Sequence, residues 1–214
     1  MAKFTDKVVV ISGGNQPNSL AMAKKFVSEG AKVAILTKTE EAEIAAAGAV
    51  AVLCDIAKFD CVTAAFDKIK AEMGPVDVLI CNPNASCPKT LLETTAEEWN
   101  EVLAINVHSI FYCCKQVFAD MKERKTGEVI LFSDDAAFGV AGNAAFAITK
   151  ASALGIVGSC SRESEKYGVT CNCVTPTVGA TPEDVADTVA LLASEEGRPL
   201  HGQTVKVIKN WTKV

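Results

Sequence analysis

Positive charge is scarce in this 214-residue chain: 21 lysines and arginines stand against 26 aspartates and glutamates, for a net charge of −5 and an isoelectric point near 5.2. A protein that holds nucleic acid through its phosphates needs a basic face, so that class of partner is excluded. Histidine is scarcer still, with only His108 and His201. The nine cysteines include no C-x-x-C pair. The usual ligand spacings of a zinc site are missing, and we expect no metal. The longest apolar runs are 8–11 and 45–53, the second broken by Gly48. Both fall well short of the roughly 18 residues that span a bilayer, so we expect no membrane segment. A strand is reached by Lys7, so we expect no secretory signal. Unpaired cysteines in apolar segments act as small hydrophobes and suit a reducing cytoplasm.

What is present is a globular composition, 49% hydrophobic and 22% charged, long enough for one core and one domain over 1–214. Short apolar runs alternate with helical patterns. We read strands at 7–12, 32–37, 50–54, 76–81, 128–133, 169–174 and 204–208. Helices are expected at 19–29, 39–47, 58–73, 95–124 and 144–167, and from Pro182 onward behind Thr181. Thr95 and Glu98 have the spacing of a capping box. The strand runs are continuous rather than alternating, as in strands covered on both faces. The pattern is that of an α/β fold with a doubly wound parallel sheet, whose ligands sit beyond the carboxyl ends of the strands. The turns that matter are therefore 13–19, 82–87, 133–143 and 176–181.

Those turns carry a resemblance. Ser12-Gly13-Gly14 after the first strand, Asn82 after the fourth, Asn106 in a long helix, Ser133, and Phe146-Ala147-Ile148-Thr149-Lys150 together resemble the short-chain dehydrogenase/reductase family. The similarity runs on through Pro182-Glu183-Asp184 and His201-Gly202-Gln203-Thr204. It implies a seven-stranded Rossmann domain, a nicotinamide cofactor and an Asn-Ser-Tyr-Lys catalytic set. Asn106, Ser133 and Lys150 match three of those roles. The position of the family tyrosine, the general acid/base, holds Phe146, which has no titratable proton.

Three further departures fall on the same centre. The family loop T-G-x-x-x-G-x-G reads Ser12-Gly13-Gly14-Asn15-Gln16-Pro17-Asn18-Ser19, keeping only its first glycine. Pro17 lacks an N–H and Ser19 adds a Cβ where glycine gives close approach. Asp55 and Asn82 match family cofactor positions, whereas strand 2 ends in Thr37-Lys38, with Lys38 expected to be solvated. The substrate lid is deleted: Pro176-Thr177 is followed almost at once by Pro182. The closing glycine pair is replaced by Lys209-Asn210.

These changes point to a non-catalytic chain with vestigial Asn106, Ser133 and Lys150, vestigial cofactor residues Ser12, Gly13, Asp55 and Asn82, and no cofactor of its own. The long helices 95–124 and 144–167 are the elements this family uses for assembly. The resemblance therefore implies an active paralogue as partner in a hetero-oligomer, a heterotetramer, with NAD in the partner. Two other readings stay open: a cofactor-independent lyase or dehalogenase using Ser133 and Lys150, and a homo-oligomeric ligand sensor. The acids Asp134-Asp135 are expected to be solvated. The aromatics Trp99, Phe111, Tyr112 and Phe118 are expected in core or interface, and His108 on a helix surface or at an interface rather than as a base.

Overall fold

Most apolar runs form strands covered on both faces, the edge strands at 50–53 and 204–207 being partly exposed, and the computed structural model describes residues 2–40 and 42–208. Strand β1 (Val8–Ser12) is buried along its whole length. It is followed by α1 (Pro17–Ser28), β2 (Lys32–Thr37), α2 (Ala42–Ala46), β3 (Val50–Leu53), α3 (Phe59–Met73) and β4 (Val78–Cys81). The second half adds α4 (Ala96–Leu103), α5 (Ser109–Arg124), β5 (Gly127–Phe132), α6 (Ala144–Ser164), β6 (Val169–Pro176), α7 (Pro182–Leu192) and β7 (Thr204–Val207). Part of the helix expected at 39–47, and the Lys209-Asn210 replacement, lie outside the described residues.

All seven strands pair in parallel in the order β3-β2-β1-β4-β5-β6-β7. The order reverses between β1 and β4, whose ends meet at Ser12 and Cys81. That reversal opens the crevice where such folds place ligands. One core layer packs Val10, Leu36, Phe66, Leu79, Ile110 and Val157 beneath α3, α5 and α6. The other packs Ile11, Met22, Phe26, Ile35, Phe132 and Val189 beneath α1 and α7.

Local chemistry sets the element ends. Thr95 and Glu98 close the expected capping box at the start of α4. Thr181 and Asp184 form a second box on α7. Helix α1 begins at Pro17, earlier than expected, because the first helical position needs no N–H partner and suits proline's fixed φ. The turn into β6 uses Gly168 at φ 69°, where an added Cβ would fall 2.7 Å from the Lys125 carbonyl oxygen. Strand β6 runs on to Pro176, beyond the expected Val174, because β7 continues to pair with it.

Two helical stretches, Ala96–Arg124 and Ala144–Tyr167, are long and apolar enough to cross a membrane by length and composition alone. Counting uninterrupted runs missed this. Both lay buried stripes on the sheet, through Ile110, Cys113, Val117 and Met121 in one and Ala153 and Val157 in the other. The first is not one regular helix. Residues Ala104–His108 form a π-helical turn between α4 and α5, which turns Asn106 inward to full burial.

Candidate functional site

The crevice between β1 and β4 is built by a backbone contact. Gly13 sits at φ 121°, and a Cβ there would lie 2.2 Å from the Asn82 carbonyl oxygen. Only glycine fits, so the retained Gly13 holds the turn after β1 against the end of β4. The Asn82 N–H donates to the Ser12 carbonyl at 3.0 Å. The Asn82 side chain donates to Ser19 Oγ at 3.1 Å, and both residues are buried. Ser19, placed where the family has glycine, thus ties the first turn of α1 to β4. Gln16 caps α1 without a side-chain hydrogen bond.

A cavity of about 310 Å³ remains beside this turn, lined among others by Gly13, Gly14, Thr37, Lys38, Asn84 and Ile105. Asp55, the acid expected at the cofactor position, does not line it and is already engaged. Asp55 accepts from the Ala57 N–H and pairs with Lys38 at 3.3 Å and Lys58 at 3.8 Å. Lys38 is therefore exposed but paired, rather than simply solvated as expected. The pairing was invisible because Asp55 reaches it from the next strand. Thr37 Oγ1 turns back to the Thr39 carbonyl at 3.0 Å.

Three of the sequence-derived catalytic positions come together behind this crevice. Asn106 accepts from the Ala85 N–H and donates to the Ala85 carbonyl, both at 2.8 Å. It also donates to Thr149 Oγ1 at 3.0 Å. Its amide clamps the loop after β4 to α6. Ser133, buried at the end of β5, donates its hydroxyl to the Lys150 carbonyl at 3.0 Å. Lys150 is buried and donates Nζ to the Pro83 carbonyl at 2.6 Å. The same ammonium lies 5.4 Å from the centre of the Phe146 ring. Burial pushes the Lys150 amine down to about 8, with Asp134 and Cys173 pulling it back up.

The proton inventory of this group is short. Phe146 supplies a cation–π face and no proton. The chain has two tyrosines. Tyr112 on α5 packs against Phe59 of α3, and Tyr167 follows α6, so neither sits beside Lys150. The connection from β6 to α7 is Thr177 to Thr181, anchored by the Thr177 N–H on the Val207 carbonyl at 2.9 Å. That length spans the gap without covering the crevice, and Val178 in it is 97% exposed.

The remaining candidates separate from the centre. Asp134 caps the short turn after β5 through the Ala136 N–H, and Asp135 pairs with Lys206 at 3.1 Å. Trp99 packs on Cys87, Val102 and Ala145. Phe111 is exposed, and His108 lies exposed beside Tyr112. All nine cysteines are free thiols. Among the described residues, no group of three His, Cys, Asp or Glu side chains is arranged to hold a metal ion. Sequence reasoning missed Thr149 and the carbonyls of Pro83 and Ala85. Their only signals were adjacency to Lys150 and Asn82.

Comparison with known proteins agrees with this geometry. The family model described as short chain dehydrogenase matches residues 7–188. The 3-oxoacyl-[acyl-carrier-protein] reductase MabA of Mycobacterium tuberculosis is 29% identical, over 95% of this chain and 92% of its own. Its counterpart in Mycobacterium avium is 33% identical over 81% of this chain and 67% of its own. The acetoacetyl-CoA reductase of Synechocystis is 32% identical over 80% of this chain and 71% of its own. A short-chain dehydrogenase/reductase structure from Burkholderia xenovorans superposes with a TM-score of 0.89 at 22% identity, covering 97% of this chain and 96% of its own. With its seven parallel strands, its crevice at the β1–β4 reversal and this match over most of its length, the chain belongs to the short-chain dehydrogenase family.

Proposed function

We propose that this chain is a non-catalytic subunit of a cytoplasmic hetero-oligomeric dehydrogenase, supporting an active family member that binds NAD and oxidises a secondary alcohol. The observation that carries the reading is Phe146 against Lys150. A working centre of this family needs a group there that moves a proton to or from the substrate oxygen, and the loss of such a group typically costs about 10²–10⁴-fold in rate. The Lys150 ammonium instead rests over an apolar ring and donates to the Pro83 carbonyl. The turn at Pro17 and Ser19, the engaged Asp55 and the short β6–α7 connection support the same reading. Assembly would use α4–α5 and α6, whose outer faces carry the exposed Phe111 and Ile148, in a heterotetramer.

The pattern of losses is similar to that of the truncated pseudo-subunit of 2-[hydroxy(phenyl)methyl]succinyl-CoA dehydrogenase from anaerobic toluene degradation. We propose oxidation of 2-(hydroxybenzyl)succinyl-CoA to benzoylsuccinyl-CoA as the reaction of the complex. The named relatives reduce 3-oxoacyl and acetoacetyl thioesters, so a ketone on a CoA thioester lies within the same chemistry. The test is co-expression with a dehydrogenase encoded beside it, followed by native mass measurement. A defined hetero-oligomer with that neighbouring dehydrogenase is expected. A soluble homo-oligomer that turns over substrate alone would overturn the proposal and make Ser133 and Lys150 the residues to examine.

A further inference from the structure

His201 stands apart from the crevice, and both of its ring nitrogens are engaged. The Cys171 N–H meets Nδ1 at 3.2 Å, and Nε2 lies 2.9 Å from the Ser161 carbonyl oxygen. A backbone N–H can only donate and a carbonyl can only accept. Nδ1 therefore keeps its lone pair and Nε2 carries the proton, which fixes the neutral Nε2–H form. The two partners belong to different elements: Ser161 lies in the last turn of α6, and Cys171 is on β6. Pairing of β6 with β7 begins at Cys173 and Thr204, with the Cys173 N–H donating to the Gln203 carbonyl at 2.8 Å. Two residues earlier on β6, the imidazole takes the Cys171 N–H in place of a strand carbonyl. The chain then bends at Gly202, φ 70°, whose N–H donates to the Cys171 carbonyl at 2.9 Å. One ring thus ties the end of α6 to β6 and to the approach of the edge strand β7.

We propose that His201 is a proton-operated clamp on the α6–β6–β7 corner, closed while the ring is neutral and released from Cys171 when Nδ1 takes a proton. An imidazolium has two donors and no acceptor, so its Nδ1–H and the Cys171 N–H would face each other. The bond to Ser161 survives, because a cation is favoured at the carbonyl end of a helix. The ring therefore stays with α6 and leaves β6. It is only partly buried, so solvent protons reach it. The ionisable groups around it are few. On α6, Arg162 follows Ser161 and donates to the Gly158 carbonyl, and Glu165 donates its own N–H to the Ser161 carbonyl. On β6 the Cys171 thiol is buried. In the turn before the ring, Arg198 donates to the Gly168 carbonyl and faces Glu128 and Glu195. Burial raises the Glu128 carboxyl to about 7, so acidification through that range favours the folded chain at Glu128, opposite in sign to the release at His201. The inference concerns the chain itself and does not rest on the proposed assembly.

The test uses the ¹⁵N-labelled full chain. A long-range ¹H–¹⁵N spectrum at pH 7.5 should show the Nε2–H tautomer for His201, told from exposed His108 by the signals that vanish in His201→Gln. Amide exchange, expressed against the intrinsic rate at each pH, should then show protection of Cys171 and Gly202 falling about tenfold or more from pH 7.5 to pH 5, as expected for a stranded donor. Val10 and Ile35 in the sheet centre should keep theirs. Glutamine offers an acceptor and a donor and takes no proton, so His201→Gln should hold its protection at both pH values. His201→Ala should show low protection at both. The wild-type readings decide even if a variant fails to fold. An Nδ1–H tautomer, wild-type protection that does not change with pH, or an equal fall in His201→Gln would overturn the proposal.

Discussion

Replacing Lys150 with methionine should stabilise this protein near neutral pH, and the gain should fade as the solution is made alkaline. The side chain is 4% exposed, and burial lowers its amine from the ordinary 10.5 to about 8. The unfolded chain therefore holds the proton more tightly than the folded one. Below pH 8 the folded state carries the full cost of a buried ammonium. A difference of about 2.5 pKa units corresponds to about 3 kcal/mol, at about 1.4 kcal/mol per unit. Between pH 8 and 10.5 the folded protein sheds the proton first, so wild-type stability rises across that window. Methionine has similar volume and no charge, but it leaves the Pro83 carbonyl without its donor, which costs about 1–3 kcal/mol at every pH. The pH-dependent part is therefore the clean quantity. Urea unfolding of both proteins at pH 7 and pH 9.5 should show the advantage of Lys150→Met shrinking by about 2 kcal/mol at the higher pH. A difference that does not change with pH would refute the reasoning, because it would mean that the ammonium is not penalised by burial.

Glu128 offers the opposite sign. Burial raises its carboxyl from 4.5 to about 7, only partly offset by Arg198, so wild-type stability should fall as pH rises through that window. Glu128→Gln should match wild type near pH 4 and exceed it by up to about 3 kcal/mol at pH 8, read as a higher midpoint in thermal melts. Asn106→Ala removes three hydrogen bonds at once and strands both backbone groups of Ala85. It should cost roughly 2–5 kcal/mol in chemical denaturation, and a loss under 1 kcal/mol would show that the clamp is unimportant. Phe146→Tyr returns a phenol beside Lys150 but leaves Pro17, Ser19 and the short β6–α7 turn in place. It should remain inert with NADH or NADPH and acetoacetyl-CoA, and measurable turnover would show that one missing proton was the whole defect.

The fold was readable because its signals are local and repeated. Strand β2 occupies the residues expected of it, the capping box at Thr95 stands where the spacing put it, and Thr181 caps its helix as expected. The loss of a proton carrier at Phe146 and the short run from Pro176 to Pro182 were equally plain, being matters of residue type and distance along the chain. What escaped depended on partners far away in sequence. The π turn around Asn106 has no composition signal, since the sequence there continues a helical pattern. The Lys38–Asp55 pair joins the ends of neighbouring strands. The Asn82–Ser19 bond turned an apparent lesion in the phosphate loop into a packing contact.

In the proposed complex this chain contributes structure and its partner contributes chemistry. Calorimetric titration of NAD into the purified hetero-oligomer, with subunit stoichiometry fixed by native mass spectrometry, tests it most directly. We expect one NAD site for each partner chain, none for this one, and no heat of binding when this chain is titrated alone. A site count equal to the total number of chains would contradict it.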